Sequence, residues 1–325
     1  MDLNLQFWRS EGKTFFQRFR HWTDILDPTF LFISSEEIEK ARTLLQASEE
    51  NITESLRDKK INEAWKLSLA SVNSGTGETI PALLRPPAFF PFTVPLVIAV
   101  ILPHRQTRHA LMCQFLFHTY TSGFSLANGN SLKESNGTPT EKEIAHKQLL
   151  LAVGAVTYSS CMGVIPHYML TRYKPKAPFV QLLCKNIIPG PLTALLCAFN
   201  VTVIRNSELE NGIEVMDSKG QVIGMSQIAG RKAVEETALS RAAVFATAMF
   251  IPDIALHFIK RTGTLFRNPL VGTPVRSILT ILVLGTMIPA SFSWMPQVGK
   301  IKRSELEPEI ASSTEETELF YNRGV

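Results

Sequence analysis

Polar and apolar positions divide the chain into two unlike parts. Residues 1 to 85 are rich in charge, and their apolar positions recur at helical spacing; beyond them, long apolar stretches alternate with short basic or polar loops. In the first part Phe15, Phe19, Trp22 and Leu26 repeat along one helical face, with Arg18, Arg20, His21 and Asp24 between them. Such an amphipathic helix fits two placements, flat in a membrane interface or packed on the rest of the protein. Ser34 and Glu37 form the S-x-x-E pattern of a capping box, predicting a second helix whose apolar face carries Ile38, Ala41 and Leu45. Ile61, Ala64, Trp65 and Leu69 mark a third, ended by the break at Gly75 and Gly77. The expectation is a polar helical domain over residues 1–85.

The apolar part opens with Pro86 to Pro103, which holds no charge. At about 1.5 Å per residue it only just covers a hydrocarbon core of about 30 Å. Pro91 and Pro95 would break a soluble helix, but a bent or discontinuous membrane helix tolerates them where neighbours satisfy the freed carbonyls. Leu149 to Leu170, Asn186 to Ile204, Ala242 to Ile259 and Ser277 to Trp294 read as four further spans. Ala110 to Ala127 is aromatic but carries Gln114, His118, Thr119, Thr121 and Ser122, so its crossing stays open. The favoured count is five, which gives an all-α membrane protein of about five transmembrane helices, some of them broken by proline. Its bundle occupies residues 86–296 and a polar C-terminal tail residues 297–325. Between two spans, Gly212 to Val215 and Gln221 to Gly224 flank Asp217-Ser218-Lys219-Gly220, a small hairpin-like insertion.

The loop Thr171 to Lys185 carries Arg172, Lys174, Lys176 and Lys185; the loop Lys260 to Arg276 carries Lys260, Arg261, Arg267 and Arg276. Neither contains an acid. Two spans separate them, so they share one side, the side that basic loops keep. Five spans place the N-terminal domain on that side and the tail opposite; a sixth crossing would bring domain and tail together.

Composition narrows the function. The chain has 325 residues, 45% of them hydrophobic, and a net charge of +4 without a long basic run, which argues against a nucleic-acid partner. Its four cysteines, Cys113, Cys161, Cys184 and Cys197, are widely spaced and lie in or beside apolar segments, so no disulfide framework, metal centre or cofactor is expected. Ser74 to Glu78 lacks the lysine and spacing of a phosphate cradle, and no hydrolase or metalloprotease motif occurs. An enzyme is not expected.

Asp253 stands inside an apolar span immediately after Pro252, four residues before His257, so the two share a helical face. Ionisable residues in the bilayer are expensive, and they often contact a substrate or an ion. The plainer alternative is a kink that lets Asp253 pair with His257 or a neighbouring cation. Asn186 and Asn200 bracket a span interrupted by Pro189-Gly190-Pro191, where unwound backbone offers carbonyls to a substrate; ordinary capping and kinking explain the same residues. These four are the candidate substrate contacts.

Several segments together resemble the sideroflexin family: Phe19 to Pro28, Asn73 to Glu78 ahead of Arg85, Arg205 to Ile213, Asp217 to Gly224, Ala233 to Arg241, and Ser313 to Val325. The resemblance implies a helical protein of the mitochondrial inner membrane that transports serine or related amino acids, with iron homeostasis as a broader association. The family's H-P-D-T-G-E signature reads Asn73-Ser74-Gly75-Thr76-Gly77-Glu78 here, keeping only Thr76, Gly77 and Glu78. Its N-Q-S-F-N-A stretch reads Thr121 to Leu126, without either amide. The leading expectation is therefore a transporter of a small amino acid other than an ordinary serine carrier, multi-pass in the lipid bilayer, with the basic loops in the matrix and the tail in the intermembrane space. The alternative is a membrane-embedded assembly factor for respiratory complex I, linked to iron–sulfur biogenesis or iron homeostasis, with other assembly factors as partners.

Overall fold

The computed structural model describes residues 1–47, 58–130, 139–261 and 271–325. Among the described residues four helices form the N-terminal layer: α1 (Leu3–Glu11), α2 (Phe15–Ile25), α3 (Ser35–Ala47) and α4 (Lys59–Ser71). Each begins where a side chain takes up the free amides of the first turn. Asp2 caps α1 and Asp58 caps α4. Thr14 with Gln17, and Ser34 with Glu37, make reciprocal capping boxes for α2 and α3. Trp8 and Trp22 stack at 5.2 Å in the layer's core, and Trp22 meets Phe292 of the bundle at 4.9 Å. Of the two placements considered for α2, the fold shows packing on the rest of the protein, with Arg18, Trp22 and Ile25 buried and Phe15 and Phe16 facing outward.

Six further helices make the bundle: α5 (Pro86–Ile101), α6 (Thr107–Ala127), α7 (Pro139–Arg172), α8 (Pro189–Ile204), α9 (Gln227–Arg261) and α10 (Gly272–Trp294). Three of them contain stretches long and apolar enough to cross a membrane, His146–Arg172, Gln227–Ile259 and Gly272–Trp294; Pro86–Ile101 and Pro189–Ile204 are shorter apolar helices. α5 stays helical through Pro91 and Pro95, and Tyr120 of α6 donates to the carbonyl of Ala88 on it at 2.9 Å.

The helices alternate in direction. At one end Asn128 bonds Leu84, Gln148 bonds the carbonyl of Ile204, and Ser240 bonds Ser291. At the other, Thr107 meets Thr171, and Arg276 bonds the carbonyl of Ile101. The N-terminal layer sits at the first end, where Arg18 donates to the carbonyls of Ser293 and Trp294. The five-span arrangement placed the N-terminal region across the membrane from the tail; in the fold the two meet at one end of the bundle. α6 runs the full length of the bundle as a sixth antiparallel member, so both chain ends lie together. Of the loop Lys260 to Arg276, residues 262–270, including Arg267, lie outside the described residues.

A four-stranded antiparallel sheet covers the same end, in the order β2-β1-β4-β3, from β1 (Ile213–Met216), β2 (Val222–Ser226), β3 (Val298–Lys302) and β4 (Glu318–Asn322). β1 and β2 are the expected hairpin; Asp217 accepts from the amides of Lys219 and Gln221 in its turn, and Gly220 takes φ 80°. Residues 297–325, expected as a polar tail, instead supply β3 and β4, so the protein is mostly helical rather than all-α. Leu319 and Tyr321 are buried while Phe320 lies under Arg9 of α1, 4.4 Å from its guanidinium carbon.

Around the bundle Leu149, Leu150, Val153, Leu195, Ile254, Phe258, Ile278 and Leu282 face outward, while Thr93, His118, Ser159, Asn200 and Thr280 are buried. Water would select the opposite arrangement; a lipid solvent selects this one.

Candidate functional site

A polar layer crosses the bundle interior on three helices. Ser159 of α7 donates to Oδ1 of Asn200 on α8 at 2.7 Å, and Asn200 Nδ2 lies 2.9 Å from Nδ1 of His118 on α6. With its carbonyl oxygen occupied by the serine hydroxyl, Asn200 donates its amide to Nδ1, and the neutral imidazole then carries its proton on Nε2. That Nε2 is buried and has no hydrogen-bond partner. One turn to either side on α6, the Oε1 of Gln114 and the Oγ of Ser122 are buried and unpartnered as well. Gln114 fits because α7 has a glycine opposite: a Cβ on Gly163 would come within 2.8 Å of its Oε1. Gln114, His118 and Ser122 thus form an inward stripe whose spare donors and acceptor can bind a polar solute, since leaving such groups unmet costs free energy.

Of the four expected contacts, only Asn200 belongs to this layer. Asp253 lies near the opposite end and is held by Arg276 of α10, with Nη2 donating to Oδ2 at 2.8 Å. His257, on the same helix as Asp253, is exposed and meets Phe258 edge-on. Asn186 falls in a π-helical turn, Leu183–Ile187, just ahead of α8, and its side chain is outside the described residues. Sequence reasoning missed His118 and Ser159. The signal available for His118 was the four-residue spacing of Gln114, His118 and Ser122, which puts three polar groups on one face of a helix.

The residues of the altered signature build a clasp at the end of the bundle. Asn73 Oδ1 accepts from the amide of Gly75 at 2.7 Å and from Thr76 at 3.3 Å, while its Nδ2 donates to the carbonyls of Ala127 and Gly129 just beyond α6. Thr76 caps the amide of Glu78, which is exposed, and Gly77 takes φ 76°, a conformation other residues resist. Arg85 is buried and donates to the carbonyls of Ile80, Phe30 and Ile33, with burial lowering its pKa. The clasp fixes the N-terminal layer to α5 and α6.

Among the described residues no group of three or more His, Cys, Asp or Glu gathers as a metal site would require.

Antiparallel helices with apolar exteriors and polar interiors define a multi-pass helical membrane protein. The chain belongs to the sideroflexin family, whose sequence model matches residues 2–325. It is 42% identical to Sideroflexin-4 of Danio rerio over 325 residues, covering all of both chains. Sideroflexin-4 of Homo sapiens is 39% identical over 100% of this chain and 93% of its own. Sideroflexin-5 of Homo sapiens is 30% identical, over 98% and 91% respectively. No solved structure matches.

Proposed function

We propose that this protein is a transporter of a small amino acid in the mitochondrial inner membrane, distinct from an ordinary serine carrier. The observation that carries the reading is the buried layer of His118, Asn200 and Ser159, with a donor left open inside the bundle. Polar groups at such depth are expensive, and a passing zwitterion supplies the partners they lack. The departure from serine rests on the signature: Asn73 takes the place of the family's histidine and is committed to the clasp, and the Thr121 to Leu126 stretch carries no amide. Arg105, Arg108, Arg172, Lys174 and Lys176 all lie toward the end away from the sheet. By the positive-inside rule that end faces the matrix, so the sheet, the C-terminal residues and the N-terminal layer face the intermembrane space.

Uptake by purified protein in liposomes across an amino-acid panel tests this. Flux of at least one small amino acid is expected, abolished in Asn200→Ala and retained in the exposed variant Glu39→Gln. Absence of flux for the whole panel would overturn the reading.

A second reading, an assembly factor for respiratory complex I linked to iron–sulfur or iron homeostasis, draws on a different surface. Phe16 (79% exposed) and Phe32 (90%) of the N-terminal layer project from the fold, as does Leu83, giving apolar groups for a protein partner to cover. A stable complex with assembly factors that survives Asn200→Ala but is lost in Phe16→Ser/Phe32→Ser would favour it.

A further inference from the structure

Arg241 on α9 is 97% buried, at 3% exposure, and stands among three aromatic rings. Its guanidinium carbon lies 4.5 Å from the ring centre of Phe292, 4.8 Å from Phe89 and 5.2 Å from Phe124. Ring faces attract the cation but leave its N–H groups unused. None of its three nitrogens has a hydrogen-bond acceptor.

The charges around it do not supply one. Arg241 senses Arg323 and Arg205, both cations. Glu208 is already committed to Arg205 at 2.6 Å, and Glu236 accepts from Tyr321. Of these three buried arginines, Arg205 holds a carboxylate and Arg323 donates through Nη2 to the carbonyl of Phe292, whereas Arg241 has no hydrogen-bond acceptor. The other buried arginines differ in this respect: Arg85 and Arg18 spend their donors on backbone carbonyls. A guanidinium enclosed by rings, with a forked set of free donors and surplus positive charge beside it, matches a planar anion with two equivalent oxygens.

The position is continuous with the polar layer. Cys197, one turn before Asn200 on α8, belongs to the same buried cluster as the three rings Phe89, Phe124 and Phe292. Phe245, one turn after Arg241 on α9, meets Phe117 edge-on at 5.0 Å, and Phe117 packs on His118.

We propose that Arg241 docks the carboxylate of a small ligand inside the bundle. Under the transport reading this ligand is the transported amino acid; the docking itself does not depend on transport. The ring cage holds the cation in place without competing for its donors, so the carboxylate finds them preorganised.

The test is equilibrium binding to the purified full-length protein in lipid nanodiscs. The probes are glycine, L-alanine and L-serine, their carboxamides, and acetate. At least one carboxylate probe is expected to bind, with its carboxamide at least about tenfold weaker because the charged acceptor is gone. Arg241→Gln should weaken the bound probe by about a hundredfold, as for a buried charge pair that loses one partner. Arg241→Lys keeps the charge but not the fork, and is expected to fall between. Acetate binding as tightly as the amino acids would identify a monocarboxylate rather than a zwitterion as the ligand and leave the docking intact. Carboxylate binding without liposome flux would keep the docking and remove the transport reading.

Equal affinity for an acid and its carboxamide in the unaltered protein overturns the proposal, as does binding to none of the carboxylates. So does unchanged affinity in a folded Arg241→Gln or Arg241→Lys, which would make the arginine a structural bolt between rings. The comparison of acids with carboxamides decides the matter even if neither variant folds.

Discussion

Asp253 of α9 and Arg276 of α10 tie together two helices at the basic end of the bundle. Nη2 donates to Oδ2 at 2.8 Å, and Nε lies 2.7 Å from Oδ1 in an ion-pair contact without hydrogen-bond alignment. Arg276 also donates through Nη1 to the last carbonyl of α5, at Ile101, so one guanidinium joins three helices. The position after Pro252 that makes Asp253 conspicuous in the sequence is where the strap attaches.

Both side chains are a little over a quarter exposed, at 27% and 29%, which limits what the pair contributes. Asp253→Asn and Arg276→Met are each expected to destabilise the protein by about 1 kcal/mol, with the charge-swapped double variant recovering part of it. Thermal unfolding in detergent measures this. Complete loss of amino-acid flux in Asp253→Asn at unchanged stability would instead assign the carboxylate to transport.

The Arg205–Glu208 pair is of another kind. Both side chains are buried; two parallel contacts of 2.6 Å join them, and Arg205 also donates to Thr237 and to the carbonyl of Arg323. Glu208 accepts from the amide and the side chain of Asn130. Together they fasten the hairpin region, α9, the segment after α6 and the C-terminal strand. Glu208→Ala leaves a buried guanidinium without its partner, and a loss of about 3–5 kcal/mol is expected. The readout is folded yield and thermal midpoint, and a loss under 1 kcal/mol would show that water replaces the carboxylate freely.

Two glycines hold the sheet against α9. Gly212 enters β1 at φ 78°, where a Cβ would meet the carbonyl carbon of Ser226 at 2.6 Å. Gly230 of α9 rests on the carbonyl of Glu208, which a Cβ would strike. Because both obstacles are backbone, Gly212→Ala and Gly230→Ala are expected to cost about 1–3 kcal/mol each. Gly154 of α7 has nothing within 4 Å of its Cβ position, so Gly154→Ala is the control, expected to be neutral or stabilising by up to about 1 kcal/mol. Equal effects at all three positions in thermal unfolding would contradict the packing described.

What the sequence disclosed was local. Apolar runs located the bundle helices, Ser34 with Glu37 announced α3, and Asp217 to Gly220 marked the hairpin turn. α6 was obscured as a bundle member because Gln114, His118, Thr121 and Ser122 lower its mean hydropathy and are also what it turns inward. Their partners Ser159 and Asn200 lie on other helices, and no spacing within one segment reveals that Asn200 would meet His118. The C-terminal strands were hidden for a related reason. β4 pairs with β1 through Val215–Tyr321 and Met216–Phe320, a long-range match that leaves only a short apolar run, Leu319 to Tyr321, in an otherwise polar stretch. Asn73 of the altered signature and Arg85 after it spend their hydrogen bonds on backbone groups.

The sixth helix makes a topological prediction. With α6 crossing, the N-terminal layer, the hairpin and the C-terminal strand all lie on one side of the membrane; without it, the N-terminal layer would face the other compartment. The contacts between chain ends fit the first arrangement, because Arg18 bonds the carbonyl of Ser293 at the end of α10 and the amide of Val325 bonds the carbonyl of Asn128 just past α6. Single cysteines placed at exposed Glu39 and Lys174 and at half-buried Glu316, in a background with Cys113, Cys161, Cys184 and Cys197 replaced, distinguish the two arrangements. A membrane-impermeant maleimide added to sealed vesicles of uniform orientation is expected to label Glu39→Cys and Glu316→Cys together, and Lys174→Cys only after the vesicles are opened, or the reverse if the vesicles are inverted. Labelling of Glu39→Cys together with Lys174→Cys, and not with Glu316→Cys, would mean that α6 does not cross. The His118–Asn200 layer would then lose its place inside the membrane, and the transport reading would lose its main support.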